Sequence, residues 1–183
     1  MSTRDDAAGR VRERDEGYRG AVERFGPALD RLARAYEADP ETRRDLLQDI
    51  HFAIWRSLGT FDGRCSLRTW IYRVAHNTAT SHITRAFRLR RPQFVTLDEL
   101  SAEPAGPEPP ADEALDHRRT LDRLYALVRQ LDPLDRQVIV SYLEGIEAAE
   151  IAEIVGTSPG AIGMKVHRIK RLLALQFNQG TSS

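Results

Sequence analysis

Residues 39–91 have the sequence DPETRRDLLQDIHFAIWRSLGTFDGRCSLRTWIYRVAHNTATSHITRAFRLRR, which predicts two helices joined by a short turn. Asp39-Pro40-Glu41 favours a helix start, because Asp caps free amide groups, Pro suits the first turn and Glu faces the positive end of the helix dipole. Apolar residues then recur at helical spacing until Gly59, which favours a helix end. Ser66 can cap the second helix.

Each predicted helix has one apolar stripe and one polar face. The apolar stripe of the first helix consists of Leu47, Ile50, Ile54 and Leu58. A different face of that helix carries Asp45, Gln48, Asp49 and Phe52. The core stripe of the second helix consists of Leu67, Trp70, Ile71, Val74 and Thr78. Its opposite face is long, basic and free of carboxylates, and it carries Thr69, Arg73, His76, Asn77, Thr80, Thr84 and Arg88.

Charge is unevenly distributed along the chain, although its net charge is zero. Residues 61–91 contain seven Arg and one acidic residue, whereas residues 92–117 contain seven acidic residues and no Arg or Lys. The neutral total therefore hides a basic face followed by an acidic connector. The basic run favours an anionic partner such as nucleic acid, and the alternative is a solvated charged face of a helix-rich protein.

The composition argues against several kinds of site. The single cysteine, Cys65, excludes an internal disulfide and a thiolate-rich zinc site, and the five His residues lack the spacing of metal ligands. We find no nucleophile–base pair and no phosphate-binding loop, so we expect no catalysis, no cofactor and no metal. The polar N-terminus does not resemble a signal peptide, and no apolar run approaches the roughly 20 residues of a membrane span. These features predict a cytoplasmic protein without membrane insertion.

The predicted fold is all-α, with two small helical domains. The first helix of the chain is expected to be interrupted at Gly26-Pro27. Linker composition, with several Pro and acidic residues, separates the two helical domains. From the N-terminus the predicted segments are a flexible tail, a helical domain, a flexible acidic Pro-rich linker, a second helical domain and a short tail, at residues 1–17, 18–92, 93–111, 112–178 and 179–183.

A helix-turn-helix pattern lies in the second domain. Residues 147–155 predict a short helix, Gly156-Thr157-Ser158 a tight turn, and Pro159 the start of a helix with four Lys or Arg and no acid. In DNA-binding proteins of this kind the start of the second helix enters the major groove, and flanking basic groups hold phosphates. The predicted base contacts are Ser158, Gly160, Ala161, Met164 and Lys165. The predicted backbone contacts are Arg168 and Arg171. The alternative is a small helical bundle with a solvated basic helix.

Two groups of residues resemble conserved regions of the bacterial sigma-70 family, and specifically of its extracytoplasmic-function group. Gln48, Trp55, Phe61, Trp70 and Asn77 hold the order and spacing of the second conserved region over about forty positions. The matches to the fourth conserved region are residues 131–138, 142–145, 150–153, 156 and 167–168. The resemblance covers about three quarters of the chain, and it implies a region 2 helical bundle linked to a region 4 helix-turn-helix.

The resemblance also implies partners. Sigma factors of this group bind core RNA polymerase, and the expected contacts to the beta-prime coiled coil are Asp45, Gln48, Asp49 and Phe52. The first domain of such proteins reads and melts the minus-ten element, which is expected to involve Arg64, Ser66, Thr69, Arg73, His76, Asn77, Thr80, Arg85 and Arg88. The second domain is expected to bind the beta flap and the minus-thirty-five element. An anti-sigma factor is a further expected partner.

The chain departs from the family pattern at three places. His76 stands where Arg is usual, Ser81 where an acid is common, and Ala161-Ile162-Gly163 where Thr-Val-Lys is frequent. The wording at Ala161-Ile162-Gly163 is expected to shift promoter preference. Two other functions remain open at this point. One is a helix-turn-helix regulator that acts without polymerase, and the other is a sigma-like interaction protein or decoy.

Overall fold

The computed structural model describes the backbone of residues 2–90 and 113–179, and the side chains of residue 9 and residues 11–85 and 117–177. Within these ranges the chain forms seven helices and has the predicted all-α fold. Their bounds are α1 Ser2–Tyr36, α2 Pro40–Leu58, α3 Leu67–Arg90, α4 Glu113–Gln130, α5 Pro133–Leu143, α6 Ala148–Val155 and α7 Pro159–Gln179. Helices α1–α3 belong to one compact unit and α4–α7 to a second.

Helix α1 differs from the prediction in two ways. It begins at Ser2, where a flexible tail was expected over residues 1–17, and it continues through Gly26 and Pro27. A proline inside a helix loses one backbone hydrogen bond. Here Phe25 and Leu29 are buried on either side of Pro27, so packing against the other helices holds both halves in line.

The core of the first unit lies between α1, α2 and α3. Its buried apolar side chains are Phe25, Leu29, Leu32 and Tyr36 of α1, Leu46, Ile50 and Ile54 of α2, and Ile71, Tyr72, Ala75, Ala79 and Ile83 of α3. Leu46, not the predicted Leu47, completes the buried stripe of α2. In α3 the buried stripe is rotated from the predicted one, so Val74 and Thr78 are only half-buried.

The rotation of α3 changes the position of two candidate contact residues. Thr69 and His76 were predicted on the exposed polar face, and that placement is wrong because both side chains are buried. The hydroxyl of Thr69 lies 2.8 Å from the hydroxyl of Ser66, which also accepts the Thr69 amide at 3.0 Å and so caps α3 as predicted. His76 packs against the rings of Tyr36 and Tyr72, and its side chain has no solvent-exposed area.

His76 is held by a buried hydrogen bond between α3 and α1. The phenol oxygen of Tyr36 lies 3.0 Å from its Nδ1 atom. Burial lowers the pKa of His76 from its ordinary value of 6.5 to about 3, because the low-dielectric interior disfavours the charged imidazolium. The imidazole is therefore neutral at physiological pH and cannot offer a positive charge to a phosphate.

Local capping sets the helix boundaries in both units. Asp39 accepts the Thr42 amide at 2.8 Å, and Pro40 begins α2, as the sequence predicts. Asp132 accepts the amides of Leu134 and Asp135 at 2.9 Å and caps α5. Side-chain acceptors at these positions satisfy amide groups that no helical carbonyl can reach.

The second unit places α7 against α5 and α6, with α4 packed on α5 and α7. Gly156 ends α6 in the left-handed conformation with φ 76°, and the Ser158 hydroxyl accepts the Ala161 amide at 3.3 Å at the start of α7. The predicted helix-turn-helix is therefore present. Ile162, Val166, Ile169 and Leu173 form the buried side of α7.

A pair of glycine substitutions tests the continuity of α1. Gly26→Ala should stabilise the protein by about 0.5–1 kcal/mol, because alanine favours a helix interior and its Cβ would meet only Val22 Cγ1 at 3.9 Å. The matched change Gly63→Ala should destabilise it by about 1–2 kcal/mol, because φ is +74° there. Urea denaturation of both variants measures this. A loss of stability in Gly26→Ala would contradict a continuous helix.

The burial of His76 predicts a pH dependence of stability. Between about pH 6.5 and about 3 the unfolded chain binds a proton at His76 and the native protein does not, so protonation favours unfolding. The free energy of unfolding should therefore decrease as the pH is lowered through this window, and His76 should contribute up to about 1.4 kcal/mol per pH unit to that decrease.

The difference between wild type and His76→Asn in urea midpoints from about pH 6.5 to about pH 5 measures that contribution. Asn77→Ala, which changes an exposed and uncharged neighbour, is the control and should follow the wild-type profile. A His76→Asn profile parallel to wild type would mean that the imidazole is not buried as described.

Candidate nucleic-acid interface

The exposed face of α2 combines acidic residues with an aromatic ring. Asp45, Gln48 and Asp49 are exposed, and so is 59% of Phe52. Phe52 stacks on Trp55 with ring centroids 6.1 Å apart. Exposed aromatic rings of this size are uncommon on a monomer and are typical of binding surfaces.

Contacts from α1 hold the ring of Trp55 in place. The Trp55 indole donates a hydrogen bond to Asp15 at 2.8 Å, and the guanidinium of Arg14 lies 3.6 Å from the ring centroid. Both residues belong to the segment that was predicted as a flexible tail. Their contacts are polar and cation–π, so the hydrophobic periodicity of the sequence does not reveal them.

Some of the residues predicted on the basic face of α3 are accessible to solvent in the structure. Asn77 and Arg85 are exposed, and Arg73 and Thr80 are half-buried on neighbouring turns. Arg88 lies in α3, but its side chain is outside the described residues. With Thr69 and His76 in the interior, the solvent-facing candidates on α3 are Arg73, Asn77, Thr80 and Arg85.

The turn between α2 and α3 adds two more candidates at the end of this face. Arg64 is exposed and forms an ion pair with Asp62 at 2.7 Å, and Ser66 is exposed beside it. Trp70 packs against Phe61 with ring centroids 5.5 Å apart, and its indole donates to the Ser57 hydroxyl at 3.1 Å. The Trp70 ring therefore supports the turn.

The exposed side of α7 matches most of the predicted recognition surface. Ser158, Gly160, Arg168 and Arg171 are exposed, Met164 is 72% exposed, and Ala161 is half-buried. His167 and Lys170 extend the same exposed side. A Cβ atom built on Gly160 or Gly163 would meet nothing within 4 Å, so the backbone of this helix start is open to close approach.

Lys165 does not lie free on this surface. It forms an ion pair with Asp135, whose side chain is completely buried at the first turn of α5. Burial raises the pKa of the Asp135 carboxyl above its ordinary value of 3.8, and the hydrogen bond from Lys165 opposes that rise. The ammonium group of Lys165, a predicted base contact, therefore already has a partner inside the second unit.

Two residues of the site escaped the sequence analysis. Asp135 lies in residues 131–138, which were singled out only for their resemblance to the fourth conserved region, and Tyr36 was not a candidate. A detectable signal existed for His76, because Tyr72, His76, Ala79 and Ile83 follow the spacing of a buried helical stripe. No comparable signal pairs Asp135 with Lys165, because these residues are 30 positions apart.

The described part of the chain contains neither a metal-binding cluster nor a membrane-spanning helix. No three His, Cys, Asp or Glu side chains in that part of the chain come close enough together to hold a metal ion. Among the helices described, none has the length and apolar character that crossing a bilayer requires.

Comparison with known proteins agrees with both units. The model of "Sigma-70 region 2" matches residues 21–88, and the model of "Sigma-70, region 4" matches residues 121–173. The RNA polymerase sigma factor NccH of Alcaligenes xylosoxydans xylosoxydans is 28% identical over 161 residues, which cover 86% of each chain. The ECF RNA polymerase sigma factor SigG of Mycobacterium tuberculosis is 34% identical over 116 residues, 63% of this chain and 29% of SigG.

A solved structure has the same fold. It is the structure of CnrH in complex with the cytosolic domain of CnrY, which matches over the full length of both chains with a TM-score of 0.66 and 23% identity. Family membership supports a role without catalysis. From the two region models in their order along the chain, and from the relatives, we conclude that this protein belongs to the extracytoplasmic-function group of the sigma-70 family and is an alternative sigma factor that directs transcription initiation.

Proposed function

We propose that this sigma factor uses three separate surfaces: the exposed face of α2 for core RNA polymerase, the basic face of α3 with its preceding turn for the minus-ten element, and the exposed side of α7 for the minus-thirty-five element. The observation that carries the proposal is that an exposed basic face without carboxylates recurs on one helix of each unit. In this proposal the protein acts in the cytoplasm as a non-enzymatic subunit of RNA polymerase.

The α2 face suits a protein partner. Phe52 offers apolar area that is exposed in the free protein, and Asp45, Gln48 and Asp49 surround it with acidic and polar groups. Aromatic anchors dominate the energy of protein interfaces, while charges at the rim steer association. We assign the beta-prime coiled coil to this face and the beta flap to the second unit.

The α3 face suits a melted promoter strand. Arg64, Arg73, Arg85 and Arg88 supply positive charge for phosphates, and Ser66, Asn77 and Thr80 supply hydrogen-bonding groups for unstacked bases. Thr69 and His76 act from the interior, where they hold α3 in place. Because His76 is buried and neutral, it contributes no charge to the DNA face.

The α7 side suits a major groove. Ser158, Gly160, Ala161 and Met164 occupy the helix start, where the backbone is open, and Arg168 and Arg171 lie further along for phosphates. An apolar side chain such as Met164 can contact a thymine methyl group. This surface supplies duplex contacts upstream of the melted region.

An anti-sigma protein is the proposed regulatory partner. The support is that the structurally similar CnrH was solved in complex with the cytosolic domain of CnrY. A partner of this kind that covered the face of α2 or α3 would prevent either polymerase docking or promoter contact.

Reconstitution tests the proposed function directly. The protein is combined with core RNA polymerase, and the transcripts made on genomic DNA of its own source are sequenced at their 5′ ends. We expect new 5′ ends that share an upstream two-part motif. Polymerase binding without transcripts would instead identify a decoy. Duplex binding without polymerase binding would identify a conventional helix-turn-helix regulator.

The polymerase-docking assignment makes a quantitative prediction. Phe52→Ala should weaken binding to core polymerase by about 30-fold, because truncating an aromatic anchor at an interface costs about 2 kcal/mol. Val11→Ala is the matched control, since Val11 is an exposed apolar residue on α1, and its affinity should stay near wild type. Fluorescence titration with labelled core polymerase measures both. Equal affinities of wild type and Phe52→Ala would remove Phe52 from the docking surface.

A further inference from the structure

The ion pair between Asp135 and Lys165 joins the start of α5 to the recognition helix α7. The Asp135 side chain has 0% exposure, and Lys165 reaches it from α7 while keeping 32% exposure. The other carboxylate oxygen of Asp135 is buried without a hydrogen-bond partner among the described residues. Asp132, the capping residue of α5, adds a second negative charge nearby.

This environment strongly favours the ion-paired position of Lys165 over one in which its ammonium group leaves Asp135. A buried carboxylate that loses its cation is left uncompensated in a low-dielectric interior, which is far more costly than the loss of a surface ion pair. Withdrawal of Lys165 toward a phosphate or a base would expose Asp135 to that cost. Arg168, Lys170 and Arg171 are exposed on the same helix, and the Lys170 ammonium group lies 5.3 Å from the ring centroid of Tyr142.

The arrangement also fixes the pose of α7. Lys165 lies little more than one turn after the open backbone at Gly160, so its tether sets how the helix start projects from α5. A shift of a recognition helix by a fraction of a turn changes which side chains reach base edges. The tether therefore acts on sequence preference through the geometry of the helix.

We propose that Asp135 is a positioning residue for promoter recognition: it holds Lys165 as an internal tether of α7 and keeps that ammonium group off the DNA. The proposal rests on the proposed function, because it requires α7 to bind duplex DNA. Of the four cations along α7, three then contribute to DNA affinity and the fourth sets the helix pose.

The salt dependence of DNA binding distinguishes a tethered lysine from a DNA-contacting one. Each phosphate that a cation neutralises adds about −0.9 to the slope of log Kobs against log[salt] for duplex DNA. A tethered Lys165 contributes nothing to this slope, whereas Lys170 at the exposed surface contributes one such increment. Neutralising Asp135 releases Lys165 to the DNA and should make the slope more negative by about 0.9, which is about a 3.5-fold larger loss of affinity over a fourfold rise in salt.

The experiment uses the full chain in holoenzyme form and a duplex that carries the upstream motif found by transcript mapping. Binding is measured over a series of salt concentrations for wild type, Asp135→Asn, the double variant Asp135→Asn with Lys165→Met, Lys170→Met and Arg171→Ala. We expect a steeper slope only in Asp135→Asn, the wild-type slope in the double variant, and a shallower slope in Lys170→Met. The double variant removes both charges, so it avoids an uncompensated buried carboxylate and should fold.

Base preference provides the second readout. Binding to duplexes with each upstream position randomised should show relaxed discrimination for Asp135→Asn, because Lys165 and the helix start are released together. If Asp135→Asn lowers only the melting temperature and leaves slope and preference at wild-type values, the pair is merely structural and the proposal is overturned. A wild-type slope in Lys170→Met and in Arg171→Ala would mean that α7 does not bind DNA, which would overturn the proposed function as well.

Discussion

The need to pair buried polar groups governs this protein more than any single apolar contact. A polar side chain without a partner in the interior costs several times what a surface hydrogen bond contributes. Both units have a buried polar side chain on or beside a helix proposed to face DNA. His76 of α3 meets Tyr36 of α1, and the carboxylate of Asp135 meets Lys165 of α7. Each contact is directional, so each fixes both the rotation of a helix about its axis and its position along that axis.

Apolar packing alone would leave these helices less well defined. The buried face of α3 contains Ala75 and Ala79, which allow close approach but interlock little with neighbouring side chains. The buried side of α7 consists of aliphatic residues whose contacts a small sliding motion would largely preserve. Directional contacts resist such motion, and for a surface that must match the spacing of phosphates and bases this resistance matters more than added stability.

This difference explains what the sequence could predict. Helix starts and ends were predicted well at Asp39, Ser66 and Gly156, because capping depends on residues within a few positions of one another. The errors concern Thr69 and His76, and the ion pair of Lys165 was not foreseen, because these features depend on partners elsewhere or on the rotation of a helix by part of a turn. Polar residues are expected outside by default, and only the three-dimensional partner shows when one is inside. Likewise, Trp55 contacts Asp15 and Arg14, which lie in a part of α1 that has no apolar pattern of its own.

The proposed tether of Lys165 also affects which parts of α7 supply affinity for DNA and which supply sequence discrimination. Gly160 and Gly163 offer no side chain, and Lys165 is turned inward, so the helix start presents few groups that can form hydrogen bonds with base edges. Positive charge is concentrated further along, at Arg168, Lys170 and Arg171, which on the proposed function contact phosphates irrespective of sequence. Affinity and discrimination are then supplied by different parts of one helix. On the proposed function, discrimination at the helix start depends on Ser158, on the exposed Met164 and on how closely the backbone approaches the groove. The proposed tether would then make the pose of the helix the main determinant of promoter preference.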